Sequence, residues 1–221
     1  MFDHKKFSKD LKLLKYQYRT TGTSNEALMG FHLQALAQID LSRLETDSDK
    51  IAFWINVYNG LTNYWVIKKK IQKSMLEQPL LVLLAKVTIG GYRFSLDDIE
   101  HGILRKNRRS LYKLCKQFSK KDSRRQFMVK EVDYRIHFAL NCGAKSCPAV
   151  SIYESSKLEQ QLQIAETNFV SQEFLVNHSL QTIHCSKIFW LYKKDFVSVY
   201  VNAPQYQGYK IRYRKYDFSI S

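Results

Sequence analysis

The sequence predicts an α+β fold in which several helices pack around a small, mainly antiparallel sheet. Residues 3–18 and residues 154–171 carry apolar side chains at helical spacing, which indicates two amphipathic helices. Between them, Lys86–Phe94 holds the pair Gly90-Gly91 within an alternating apolar pattern, as is typical of a β-hairpin. Helical segments at both ends of a hairpin favour this mixed class.

Composition indicates one globular domain over residues 1–221, with a helical N-terminal part at 1–45 and a core at 46–221. Hydrophobic residues make up 45% of the chain, and only three prolines occur, so no stretch resembles a linker. The formal net charge is +15, spread over short runs. A basic protein with solvated charged faces is the expectation, and nucleic acid is an unlikely partner because no recognition motif accompanies the charge.

The chain shows no segment that is long and apolar enough to span a membrane, and its first residues lack the apolar run of a secretory signal. Its four cysteines do not form a dense disulfide framework. These observations predict a soluble, cytoplasmic protein, or an exported one if a leader has been removed.

Further elements follow from local patterns. Ser24 or Asn25 is expected to cap a second helix. The remaining predictions are a helix from Ser95 to about Asn107 with a capping box at its start, a basic helical region at 111–121, one or two strands within Phe127–Leu140, a short strand at Thr182–Cys185 and an edge strand near Ile211.

A helix at about Lys50–Lys69 is apolar nearly all round, so it should lie at the centre of the fold. Within it, Asn56, Asn59 and Asn63 recur at i, i+3 and i+7 and align three amides on one stripe. A buried amide without a partner costs about 1–3 kcal/mol. These side chains must therefore meet the backbone of a neighbouring loop, water or a ligand.

The segment 133–148, DYRIHFALNCGAKSCP, concentrates the groups most suited to chemistry. It contains His137 and two of the four cysteines, Cys142 and Cys147. In an extended strand, alternation would place Arg135, His137 and Asn141 on one polar face, ahead of a turn at the cysteines. This segment is the leading candidate for a functional site.

Five segments together resemble the bacterial and plant family catalogued as domain of unknown function five hundred and forty-seven (DUF547). They occur in the family's order, and the resemblance covers roughly residues 30–221. Tyr134 stands where a proline is common, and the last segment replaces a tryptophan-containing ending. The segments are AFWINVYNGLT (52–62), SLDDIEHGILR (95–105), DYRIHFALNCGAKSCPAV (133–150), SKIFWLYKKDF (186–196) and YDFSI (216–220).

The family is similar to papain-like or transglutaminase-like cysteine hydrolases, which implies such a fold and a thiol-dependent activity. Cys142 would then be the nucleophile and His137 the base, with Glu100 or Asn56 orienting the imidazole. Papain-like enzymes place the nucleophile at the start of the central helix, where this chain has Asn56 and Asn59 and no cysteine. The nucleophile must come from the loop, or the activity has been lost.

Further polar residues would complete such a site. Asn59, Asn141 or loop amides near Gly143 can supply an oxyanion hole, and Arg105 and Arg135 can recognise a carboxylate or another anion. The expected ligand is a small molecule or peptide, and the two arginines would suit an anionic one.

The alternative is a non-catalytic binding or scaffold module. In it, the cysteines pack or form a disulfide, and the candidate binding residues build a polar network or ligand pocket. No cofactor or metal is expected, since Cys142 and Cys147 approach zinc spacing without a second paired motif. The binding candidates are Asn56, Asn59, His101, Arg105, Arg135, Asn141, Ser186 and Asp195, together with Glu100.

Overall fold

The computed structural model describes residues 2–110 and 113–220. Six α-helices occur in these ranges, and a single π-helix follows the hairpin. The α-helices are α1 (His4–Thr21), α2 (Glu26–Ala37), α3 (Asp47–Lys68), α4 (Leu81–Leu84), α5 (Leu158–Glu173) and α6 (Ile188–Leu191), and the π-helix is Asp98–Leu104. Short 3₁₀ helices span Leu41–Arg43, Met75–Glu77, Ser123–Phe127, Tyr134–Phe138, Ser155–Lys157, Tyr200–Asn202 and Pro204–Tyr206.

Two small sheets complete the fold and confirm the predicted α+β class. Strands β1 (Lys86–Ile89) and β2 (Tyr92–Ser95) form the expected antiparallel hairpin. In the second sheet, β3 (Phe174–Asn177) pairs antiparallel with β4 (Thr182–Cys185), and β5 (Lys210–Tyr213) lies parallel to β4. No helix within the described ranges meets the length and hydropathy needed to cross a bilayer.

Helix α3 lies at the centre of the larger hydrophobic core, as its apolar sequence predicts. Thr46 and Asp49 form a reciprocal capping box at its start, which satisfies the first free backbone N–H groups. Gly60 faces the ring of Phe7 so closely that a Cβ atom would overlap it. Helix α1 therefore packs tightly against α3 because residue 60 has no side chain.

The helix expected from Ser95 to Asn107 begins as predicted but is a π-helix that ends at Leu104. The side chains and backbone N–H groups of Ser95 and Asp98 pair reciprocally at 3.0 and 3.1 Å. The backbone N–H of Arg105 then bonds to the carbonyl of Glu100, five residues earlier. Such wide turns are uncommon and frequently mark functional sites.

The prediction of strands within Phe127–Leu140 is wrong. Tyr134–Phe138 forms a 3₁₀ helix that packs against α5, and Ile136, His137 and Phe138 are all buried. Asp133 caps this turn by accepting a hydrogen bond from the N–H of Arg135 at 2.9 Å. Because the turn bonds its own backbone locally, alternation does not apply to these residues.

The prediction of a helical region at 111–121 is also wrong for residues 113–121. Residues 111 and 112 lie outside the described residues, and residues 113–121 form bends and turns. The structure does confirm the helix caps and the short strand at Thr182–Cys185, with Asn25 as the cap of α2. A second hydrophobic cluster joins Phe138, the last residue of the 3₁₀ helix Tyr134–Phe138, to Phe189 and Phe196.

Candidate functional site

A small cavity of about 50 Å³ lies between α3, the π-helix, the 3₁₀ turn and the cysteine loop (141–148). Its walls combine ionisable groups with apolar side chains. The ionisable lining residues are Tyr58, Glu100, His137, Cys142, Cys147, Tyr192 and Tyr216. The cavity therefore brings together the three residues expected to be catalytic, Glu100, His137 and Cys142.

His137 is held by a carboxylate that lies far away in the sequence. Its Nε2 lies 2.8 Å from Oδ2 of Asp195, and its ring stacks on that of Tyr192 with centroids 3.8 Å apart. Burial lowers the pKa of His137, although the Asp195 carboxylate opposes this shift. The imidazole is therefore neutral at pH 7, with Nε2–H donating to Asp195 and Nδ1 carrying the lone pair.

Asp195 also organises two arginines. Arg105 donates to it through Nε at 2.6 Å and Nη2 at 3.0 Å, and Arg108 donates through Nη1. Burial would raise the pKa of Asp195, but the hydrogen bonds from His137 and Arg105 outweigh it and hold that pKa well below the usual range. Asp195 is thus an anion even though its side chain is fully buried.

Glu100 forms the opposite wall through two phenols. The hydroxyl of Tyr58 donates to its Oε2 at 3.1 Å, and the hydroxyl of Tyr192 donates to Oε1 at 2.5 Å. Burial would raise its pKa, yet the nearby His101 and the Tyr192 hydrogen bond bring it below the ordinary value. His101 in turn accepts a hydrogen bond at Nδ1 from Arg105 at 2.6 Å.

The two thiols of the cysteine loop face each other with the sulfur atoms 2.7 Å apart. The Tyr216 hydroxyl lies 3.1 Å from Sγ of Cys147 and 3.6 Å from Sγ of Cys142. The hydrogen bond from Cys147 lowers the pKa of Cys142 to about 7 against the opposing effect of burial. Burial and the same hydrogen bond raise the pKa of Cys147. Cys142 is therefore the more acidic thiol.

Two of the three asparagine side chains predicted to lie on one stripe of α3, Asn56 and Asn59, bind backbone, whereas Nδ2 of the buried Asn63 has no hydrogen-bond partner in the described structure. Asn56 bonds to both the N–H and the carbonyl of Tyr153 at 3.0 and 2.7 Å, and its Nδ2 also lies 2.8 Å from Nδ1 of His4. Asn59 donates to the carbonyl of Ala139 at 3.0 Å and accepts from the N–H of Asn141 at 2.8 Å. Both amides fix the loops that follow the 3₁₀ turn.

Other candidate residues hold the scaffold around the cavity. Asn141 donates to the carbonyl of Pro148 at 2.7 Å and accepts from the N–H of Gly143 at 2.7 Å, which closes the cysteine loop. Arg135 pairs with Asp133 and Glu159 and does not line the cavity. The buried Ser186 accepts a hydrogen bond from the N–H of Ile188 at the start of α6.

Three phenols of the site were not identified from the sequence. Tyr58 and Tyr192 bind Glu100, and Tyr216 lies against both thiols. Each falls in a segment that carries the family resemblance, but nothing in the local pattern distinguishes a hydrogen-bonding tyrosine from a core one. The partner of His137 is likewise Asp195 in place of the expected Glu100 or Asn56.

Within the described parts of the chain, no group of three or more His, Cys, Asp or Glu side chains is arranged to hold a metal ion.

The fold and site define an α+β protein in which a central helix and a cysteine-bearing loop enclose a small polar cavity. The chain belongs to the family described as "Protein of unknown function, DUF547", whose family model matches residues 41–170. No curated protein and no solved structure matches the chain. The similarity to papain-like and transglutaminase-like hydrolases stays a prediction.

The matched segment supplies only part of the cavity. Glu100, His137 and the two thiols lie within residues 41–170, whereas Tyr192, Asp195 and Tyr216 lie beyond it. The resemblance seen in residues 186–196 and 216–220 therefore concerns segments that this match does not include.

Proposed function

We propose that this cavity is the site of a cysteine-dependent hydrolase or acyl transferase in which Cys142 is the nucleophile. The observation that carries the proposal is that Cys142 lines the same cavity as His137, whose imidazole is hydrogen-bonded to Asp195. A neutral, carboxylate-oriented imidazole that lines one cavity with an acidic thiol suits acyl transfer.

In the proposed reaction, Nδ1 of His137 takes the proton of the Cys142 thiol as sulfur bonds to the acyl carbon. The imidazolium returns that proton to the leaving group when the bond from the acyl carbon to the leaving group breaks. Water or a second acceptor then attacks the thioester, losing its proton to His137, and Cys142 regains a proton on release. The anionic Asp195 stabilises the imidazolium at both stages.

Cys142 currently shares its hydrogen bond with Cys147, so the reaction requires its sulfur to turn toward His137. Asn59 and Asn141 already donate to backbone carbonyls, so their amides are not available to donate to an oxyanion. The hydroxyl of Tyr216, beside both sulfur atoms, is the better placed donor to a developing oxyanion. Glu100 adds negative charge that favours the protonated imidazole.

The proposal is tested by alkylation with iodoacetamide at neutral pH, followed by mass spectrometry of each cysteine peptide. Cys142 should react fastest, with a rate that rises through a pH of about 7. The exposed Cys115 serves as the ordinary thiol in the same sample. Equal, slow labelling of both would favour the non-catalytic binding module.

Acyl transfer itself is tested by incubating the protein with a panel of activated esters and thioesters. A mass increase on Cys142 that is absent in Cys142→Ser and decays with time is the expected result. Cys115→Ser should behave as the wild type. The proposed activity would be contradicted if no cysteine became acylated and if the wild type and Cys142→Ser turned over the esters and thioesters at the same rate.

A further inference from the structure

A second concavity lies on the outer side of the cysteine loop, between that loop and α1. It encloses about 750 Å³ and is lined by Cys147, Pro148 and Val150 on one side. Lys12, Lys15 and Arg19 line it from the opposite side. We call this concavity the α1 groove.

The three cations lie on one face of α1 because they are spaced at i, i+3 and i+7. Lys12 donates through Nζ to the carbonyl of Val150 at 3.2 Å, which joins the helix to the segment that follows the cysteine loop. Arg19 donates through Nη1 to the carbonyl of Ile220 at 3.4 Å. Both long side chains are thereby held along the groove.

The charge of the α1 groove is of one sign. No Asp or Glu occurs among its lining residues in the described ranges. Burial, followed by the charges of Arg19 and Lys12, lowers the pKa of Lys15 below its usual value. Like charges gathered beside a partly buried concavity create a positive potential that attracts anions.

The α1 groove and the buried cavity share two lining residues. Cys147 and Pro148 line both, so these two residues form part of the wall between the two spaces. The arginines expected to recognise an anion have internal partners instead: Arg105 binds Asp195, and Arg135 binds Asp133 and Glu159. On the α1 side, free space and positive charge therefore lie together beside Cys147.

We infer that the α1 groove binds the anionic group of the substrate, a carboxylate or phosphate, and delivers the rest of that molecule to the thiols past Cys147 and Pro148. As a substrate assignment this rests on the proposed function, but anion binding at the groove can be measured without it.

The test compares alkylation of Cys142 and Cys147 by iodoacetate, which is anionic, and by iodoacetamide, which is neutral. The ratio of the two rates should exceed that at the exposed Cys115 and fall as salt is added. Lys12→Ala and Lys15→Ala should each lower the ratio about threefold, as expected for one charge removed at groove distances. Lys12→Glu should lower it further.

Lys9→Ala is the matched control, since Lys9 is an exposed lysine of the same helix that does not line the groove. The inference would be overturned if Lys9→Ala lowered the ratio of the iodoacetate rate to the iodoacetamide rate as much as Lys12→Ala does. It would also be overturned if neither variant changed that ratio. Protection from iodoacetate by glutarate but not by inorganic phosphate identifies a carboxylate site, and the reverse identifies a phosphate site.

The two proposals fail separately. A charge-dependent ratio without any acyl adduct on Cys142 would retain the anion site and remove the acyl transferase. An acyl adduct on Cys142 with a ratio insensitive to Lys12 and Lys15 would do the opposite.

Discussion

The imidazole of His137 and the carboxylate of Asp195 are joined at 2.8 Å across 58 residues of sequence. The same carboxylate binds Arg105, so one buried anion fixes a base candidate and a buried cation together. Three segments of the chain therefore meet at a single side chain.

Replacing Asp195 by Asn should separate its two effects. Asp195→Asn leaves the guanidinium of Arg105 buried without a full counter-charge, so the free energy of unfolding should fall by about 3 kcal/mol in chemical denaturation. In the remaining folded protein, the Asn amide can donate to Nε2 and stabilise the wrong tautomer, which should slow acylation of Cys142.

The control is Asp40→Asn. The exposed side chain of Asp40 accepts a hydrogen bond from the N–H of Ser42, and the side-chain oxygen of Asn can accept the same bond. Asp40→Asn should leave both the free energy of unfolding and the acylation rate nearly unchanged. A stable, fully active Asp195→Asn protein would show that the carboxylate orients nothing of consequence.

Stability should depend on pH through His137. Burial lowers its pKa in the folded protein, while in the unfolded chain it keeps a value of about 6.5. Below pH 6.5 the unfolded state binds the extra proton, so the free energy of unfolding falls as pH drops toward the folded-state pKa. His101 and His4, whose pKa values burial also lowers, contribute in the same direction.

Urea denaturation at a series of pH values between 7 and 5 measures this dependence. His137→Gln should unfold with a smaller slope of free energy against pH than the wild type. His178→Gln, at an exposed position, is the comparison variant. An unchanged slope in His137→Gln would mean that the pKa of this histidine is the same in the folded and unfolded states, and a steeper slope would mean that folding raises it.

The low pKa of Cys142 should depend on the neighbouring thiol. Its largest cause is the hydrogen bond from Cys147, so Cys147→Ala should raise the pKa of Cys142 from about 7. Cys147→Ser keeps a donor at the position and should preserve more of the shift. The pH dependence of alkylation at Cys142 measures the pKa in each variant. Equal profiles for all three proteins would assign the low value to another group.

The amides of α3 should differ sharply in their effect on stability. Asn59→Ala leaves the Ala139 carbonyl and the Asn141 N–H without that partner, and should cost about 2–4 kcal/mol of unfolding free energy. Asn63 is equally buried on the same helix, but its Nδ2 has no hydrogen-bond partner in the described structure. Asn63→Ala should therefore cost less. A larger loss for Asn63 in thermal or urea denaturation would contradict this assignment.

The sequence predicts the central helix, the Asn25 cap of α2, the capping box of Ser95 and Asp98 and the hairpin, because those depend on local spacing. In the asparagine stripe, Asn56 and Asn59 have the backbone partners that were one of the predicted alternatives, but Nδ2 of Asn63 has none in the described structure. The alternating pattern wrongly predicted a strand at Tyr134–Phe138, where Asp133 caps a 3₁₀ helix. A short apolar run does not distinguish such a helix from a strand.

Other features depend on contacts distant in sequence. The π-helix is fixed partly by Gly102, which faces the ring of Phe118, and by Asn107, which bonds to the backbone of Phe118. Nothing near His137 identifies Asp195 as its partner, and nothing near Cys142 identifies Tyr216. Likewise, the amphipathic pattern of α1 indicates a buried face but not that the cations beside it line a groove.

The stacked rings of His137 and Tyr192 also supply a spectroscopic reporter. With centroids 3.8 Å apart and planes inclined by 19°, the phenol ring current should shift the imidazole protons upfield. Among the six histidines of the chain, this resonance should be recognisable in a nuclear magnetic resonance spectrum. The state of the cavity can thus be followed in solution before any substrate is known.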